Sequence, residues 1–248
     1  VRTYLRQMSR VPLLTREGEV AIAKRIERGE LRITKAMSRS LLAARHIREL
    51  ARKVDEGERT LRDTVILPET ELTDRQLNNR VKRLVADAEK VNDALKELAK
   101  RNARAAAVRK RRLKPSVRTR WRIKRAHIAV SHAVRHIRFT PVVRRELIDK
   151  IELAAGTIQR AERRVGRLVK QSAPRRRGQR ATPSPNLRLA RRELAELLDK
   201  INESAVDLNA VQKSIRRGVI EGDIARKELT EANLRLVVSV AKKYVNRG

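Results

Sequence analysis

The sequence predicts an all-α protein, a helical bundle carrying a long helical and partly flexible insertion, and three observations carry that prediction. Ala, Leu, Arg, Glu and Lys dominate, with only 7 prolines and 9 glycines in 248 residues, a composition that favours helix. Apolar residues recur at three- and four-residue spacing along most of the chain, the period of a helix with one buried face. Aromatic residues make up only 2%, so the core has to be aliphatic.

Tyr4, Leu5 and Met8 form a first short stripe. Pro12 ends it, because proline disfavours the α conformation at Val11. Thr15 then serves as an N-cap with Glu17 and Glu19 in the first turn, where the helix dipole favours negative charge, and Gly29 reads as a C′ stop. These signals predict a helix from about Arg16 to Arg28, with Ile22 and Ile26 one turn apart on its apolar side.

Helical spacing continues over residues 31–54 and again over 75–100, where Leu77, Val81, Leu84, Ala88, Val91 and Leu95 share a face. The stretch RTLRDTVILPETELTD separates the two. Residues 171–185, QSAPRRRGQRATPSP, hold hardly any apolar side chains to repay the entropy of ordering and read as a flexible linker. The period resumes from Leu187 to Val211, a polar break is expected around Gly218 to Gly222, and a last helix places Ala225, Leu229, Ala232, Leu236, Val240 and Tyr244 on one face. The run VVSV has strand character, but its long helical flanks favour helix.

Charge narrows the partner. The formal net charge is +33, and between Arg101 and Arg192 there are 29 Lys and Arg against 4 Asp and Glu. A concentration of this kind fits a polyanionic partner, with affinity that falls as salt rises, and equally a solvated, arginine-rich insertion shaped by codon bias. Arginine outnumbers lysine 45 to 17, and its planar fork suits phosphate. Trp121 and Phe139 are the only aromatics in that stretch, too few for a base-stacking platform, and both read as core anchors.

Chemistry finds little support. Cysteine is absent, so neither disulfides nor thiolate metal sites can form, and a reducing, cytoplasmic location fits. His132 and His136 stand one turn apart, but a zinc-protease helix needs Glu directly after the first histidine and SHAVRH supplies Ala133. Arg122, Arg125, Arg135 and Arg138 would repel a cation there, so no metal and no cofactor is expected. Phosphate-binding glycine loops and nucleophile elbows are missing, so the protein is read as a non-enzyme without a small-molecule substrate. No apolar run reaches the roughly 20 residues of a membrane helix. Beginning at Val1 rather than Met, and stopping just after a strongly patterned segment, the chain is expected to be a piece of a longer protein.

The two ends carry the most specific signal. VRTYLRQM, VPLLTREGE and AKRIE within residues 1–30, and KELTEANLRLVVSVAKKYVNRG near the other end, resemble two segments of the primary, or housekeeping, bacterial sigma factors. The first is similar to the helical region near the start of those proteins, and the second to the first helix of their central domain. On this resemblance the chain divides into residues 1–34 as the first sigma region, 35–185 as a variable insertion, here basic, and 186–248 as helices leading into the central domain.

What the resemblance implies is a subunit that binds core RNA polymerase, places it on promoter DNA and captures non-template bases of the minus-ten and discriminator elements. By matching positions, Arg2, Leu5 and Arg6 would face the discriminator strand. Glu19 and Asn233 would line a pocket for a flipped base, with Arg235 contributing from the same helix. An Asn side chain can donate to and accept from a base edge, and extruding a base costs a few kcal/mol that such a pocket must offset. The strand-melting helices of the family would follow Gly248, so weak or no promoter opening is expected of residues 1–248 alone. The competing reading, from charge alone, is a non-enzymatic architectural protein that binds nucleic acid without sequence preference.

Overall fold

The structure is a computed structural model that describes residues 14–68, 72–172, 184–201 and 203–244. Among these residues there are eight helices and no strand, as the periodicity predicts. In chain order they are α1 (Arg16–Met37), α2 (Leu41–Asp55), α3 (Leu61–Thr64), α4 (Asp74–Lys110), α5 (Val117–His136), α6 (Pro141–Gln171), α7 (Pro185–Ile201) and α8 (Ala205–Tyr244). They fall into two compact units, one of residues 1–33 and 214–248, the other of residues 34–213.

In the larger unit, α4 and α5 form a hairpin, α2 packs against both α4 and α6, and α7 lies along α6. Each interface is a stripe of small and branched aliphatics. Ile47, Leu50 and Val54 line α2, Leu84, Ala88, Val91 and Leu98 line α4, and Val143, Leu147, Ile151, Ala155 and Ile158 line α6, all buried. A fully buried Leu, Ile or Val contributes about 1.5–3 kcal/mol relative to exposure, so these three rows dominate the stability of the unit.

Caps set the helix starts. Ser40, Thr60, Ser116 and Thr140 each accept a backbone N–H of the following first turn. At the head of α4, Thr73 N–H donates to the Gln76 side-chain oxygen at 3.1 Å, which satisfies one otherwise unpartnered donor. Pro141 follows its cap at the first helical position, where its missing N–H is not needed.

Between α3 and α6 the chain makes one isolated antiparallel bridge, Val65 with Phe139, tied by Ile66 N–H donating to Arg138 O at 2.9 Å and Thr140 N–H donating to Thr64 O at 3.1 Å. Phe139 is 4% exposed and anchors this corner. The second tie is longer in sequence: the buried Glu203 carboxylate accepts Ser40 Oγ at 2.9 Å and Leu42 N–H at 3.1 Å, so a residue 163 positions away completes the cap of α2. Arg45 adds a bond to Ile201 O at 2.7 Å.

Three expectations are corrected. Helix α1 does not stop at Gly29 but runs on to Met37. Helix α8 passes unbroken through Gly218 and Gly222, and the interruption lies instead just before Ala205. Trp121 is not a core anchor, since it is 59% exposed. The linker expected over 171–185 lies mostly outside the described residues. No described helix is long and apolar enough to cross a membrane.

Candidate nucleic-acid interface

The smaller unit pairs α1 with the part of α8 from Ser214 onward. Thr15 starts α1, accepting Gly18 N–H on its hydroxyl at 3.2 Å and Glu19 N–H on its carbonyl at 3.0 Å. Glu17 and Glu19 occupy the first turn, where their charge meets the positive helix end. Gly29 comes up against the backbone of Gly218 and Gly222, and Gly218 against Ile33. Without side chains at these points the two helix axes approach closely.

Charge then fixes the register. Arg25 grips the Glu228 carboxylate with both terminal nitrogens, Arg226 reaches Glu30 at 2.9 Å, and Arg32 reaches Glu221 at 2.9 Å with Arg28 nearby. The Arg25 guanidinium is held above its ordinary value by its hydrogen bond to Glu228 and by that carboxylate's charge. Partners descend along α8 as they ascend along α1, so the pair is antiparallel.

This register locates the predicted site residues. Glu19 lies six residues before Arg25, and Asn233 five residues after Glu228. At a rise of about 1.5 Å per residue these are steps of about 9 Å and about 7.5 Å in the same direction, so the two residues share one level of the helix pair. Both are exposed. Arg235 is half-buried, and its Nε is enclosed without a hydrogen-bond partner. Arg2, Leu5 and Arg6 lie outside the described residues.

Around this level α8 also exposes apolar side chains, among them Leu234, Val237 and Val240. Val237 and Val240 stand one and two turns beyond Asn233 on its own helix face, so the polar site borders an apolar surface.

The histidines divide by environment. His132 and His136 are exposed, and burial pushes His127 below its ordinary value. His46 is the buried one: its Nδ1 lies 2.8 Å from Glu49 and its Nε2 3.1 Å from Glu146, with Arg59 on the other Glu146 oxygen at 2.8 Å. No group of histidines and carboxylates able to hold a metal occurs among the described residues. Sequence reasoning passed over His46 because its partners come from α2 and α6 together.

Comparison with known proteins bears on the ends of the chain. Residues 1–32 match the family model of sigma-70 factor, region 1.2. The chain is 44% identical over 61 residues to the RNA polymerase sigma factor SigA1 of Synechococcus elongatus, a match that covers 23% of this chain and 15% of that relative. The amino-terminal segment is therefore similar to sigma-70 region 1.2, and the likeness to a sigma factor holds over part of the chain, which spans 15% of that relative's length.

Proposed function

We propose that this chain is part of a primary sigma factor, a subunit without an active site of its own that brings core RNA polymerase to promoters in transcription initiation. The observation that carries the reading is the match of residues 1–32 to the family model of sigma-70 factor, region 1.2. The antiparallel α1–α8 pair supports it, because Arg25 and Glu30, within the matched residues, pair with Glu228 and Arg226 at the start of the second segment with sigma-factor resemblance.

In this reading the level shared by Glu19 and Asn233 takes an unpaired non-template base near the downstream end of the minus-ten element. Asn233 reads the base edge with its amide, which donates and accepts. Glu19 accepts an exocyclic amine. Arg235 supplies a cation to phosphate or base, while Arg2, Leu5 and Arg6 serve the discriminator strand. The exposed apolar residues of α8 take a polymerase surface, since a patch of this kind on a soluble unit marks a partner.

Single-stranded oligonucleotides with the minus-ten and discriminator bases varied one at a time test the reading, with the chain and core polymerase present together. Asn233→Ala and Glu19→Ala are expected to change preference at a single base position and leave the others alone. A uniform loss across all sequences, or failure of the chain to associate with core polymerase, would overturn it.

A further inference from the structure

The strongest unassigned feature is the turn of the α4–α5 hairpin, in the larger unit and remote in sequence from Glu19 and Asn233. No Asp or Glu occurs between Glu97 and Glu146. Within residues 110–125, which close α4 and open α5, nine of sixteen residues are Lys or Arg. All nine side chains are exposed, and among the described residues none of them makes an ion pair.

Folding alone does not favour this arrangement. Helix α5 has no acidic residue in its first turn and instead places Arg118 and Arg120 at its positive end, against the helix dipole. Arg118 with Arg122, and Arg120 with Lys124, are like-charged pairs one turn apart, which repel. The hairpin is nevertheless rigidly built: Ser116 caps α5, Arg101 of α4 donates to Arg122 O at 2.9 Å, and Ala105, Ala126 and Val130 are buried along its stem. A stiff scaffold thus holds repelling cations at one turn.

We propose that this hairpin turn is a docking surface for the phosphate backbone of double-helical DNA, bound without regard to sequence. Charge complementarity identifies the partner. Duplex DNA offers a phosphate about every 1.7 Å of its axis and releases counterions when cations replace them, and arginine forks match phosphate oxygens. The row from Arg118 to Arg125 spans about 10.5 Å of helix, enough to follow about three successive phosphates of one strand at about 3.4 Å each. Trp121 is the lone aromatic at the turn, with Lys124 Nζ 5.2 Å from its ring centre. One ring cannot make the stacking row of a single-strand binder, which favours the duplex.

Trp121 is also the chain's one tryptophan, so its emission reports on this turn directly. The intact chain is titrated with a labelled duplex of arbitrary sequence, following anisotropy and Trp121 emission together, in the absence of polymerase. Binding accompanied by a change in Trp121 emission and by protection from acrylamide is expected. Replacing Arg111, Arg118, Arg120, Arg122 and Arg125 with Gln is expected to weaken binding at least tenfold at about 100 mM salt and to make the log–log salt slope shallower by about 4. A control removes the same charge elsewhere in the unit, with Arg160, Arg163, Arg167, Lys170 and Arg191 changed to Gln, and is expected to lose much less. Lys at the five hairpin positions keeps the charge and should retain most of the affinity, which separates lost contacts from lost folding.

Equal loss in the two Gln variants would overturn the assignment in favour of diffuse charge. Duplex binding with Trp121 unchanged would also overturn it. A Trp121 response that appears with phosphatidylglycerol vesicles or polyglutamate at lower concentration than with duplex would transfer the surface to a membrane or an acidic protein. None of these readouts involves base preference or core polymerase, so the outcome is independent of the sigma-factor reading.

Discussion

Gly29 and Gly218 meet backbone to backbone: a Cβ built on Gly29 would lie 2.8 Å from the Gly218 carbonyl oxygen, and one built on Gly218 would lie 2.9 Å from the Gly29 carbonyl oxygen. Real side-chain carbons do not come that near to backbone, so the two helices are as close as they are because neither residue has one. The neighbouring Gly222 is different, since its added Cβ meets only Arg226 side-chain atoms, the nearest at 3.5 Å.

That contrast gives the first prediction. Alanine raises helix propensity by about 1 kcal/mol over glycine, while overpacking costs about 1–3 kcal/mol. Gly29→Ala and Gly218→Ala are expected to destabilise the α1–α8 pair by up to about 2 kcal/mol net. Gly222→Ala is expected to be neutral or stabilising by up to about 1 kcal/mol. Urea denaturation of the three variants would reveal the order, and a stabilised Gly218→Ala protein would contradict the close approach.

A second prediction concerns Glu203. Burial pushes its carboxyl above the ordinary range, against the donors from Leu42, Ser40 and Leu41, and the charge of Asp207 adds to the rise. A carboxyl whose value is higher folded than unfolded binds its proton more tightly in the folded state. Stability from this group is therefore greatest in acid and declines as pH rises from the ordinary carboxylate value through the raised one. Glu203→Gln keeps an oxygen that can accept from Ser40 and Leu42, and is expected to melt higher than the parent at neutral pH and to lose that slope. Glu203→Ala removes the distant cap and is expected to cost about 1–2 kcal/mol. Thermal melts across the acid-to-neutral range decide both.

Glu146 has the opposite sign. Burial tends to raise it, but the hydrogen bonds and charges of Arg59 and His46 together hold it below the ordinary carboxylate value. Its contribution is present above the unfolded value and is lost as pH falls through the lowered folded one. Glu146→Gln is expected to lower stability at neutral pH and to flatten the acid limb of the melting profile. An unchanged acid limb would show that the Arg59 and His46 contacts carry no linkage.

The two aromatics of the basic stretch supply a fourth test. Phe139→Ala empties a buried corner beside the Val65 bridge and is expected to cost about 3–5 kcal/mol. Trp121→Ala touches an exposed ring and is expected to stay within about 0.5 kcal/mol of the parent. Calorimetry on both variants separates core from surface.

These residues also show how far sequence could be read. The helices themselves were legible, because rows such as Leu84, Ala88 and Val91 combine the helical period with side chains that bury well. Their ends were less so. Gly29 reads as a terminator because a glycine admitted for close packing looks the same in sequence as one admitted for a left-handed cap. Trp121 reads as core from its residue type, yet the apolar residues on its own helix face, Val117 and Ile128, are exposed along with it. Glu203 has no local signal at all, since the cap it completes belongs to a helix 163 positions earlier. At the candidate site, nothing in the period or charge of Glu19 and Asn233 singles them out; only the sigma-factor resemblance did, and the glycine and ion-pair register gave them a common level.

The bond between Ser40 and Glu203 closes a loop of chain 163 positions long within the larger unit. The entropy of closing a loop grows only with the logarithm of its length. Residues added to or removed from the turns between these two points would therefore change the cost of making this contact only slightly, and the tie between the head of α2 and the approach to α8 would persist.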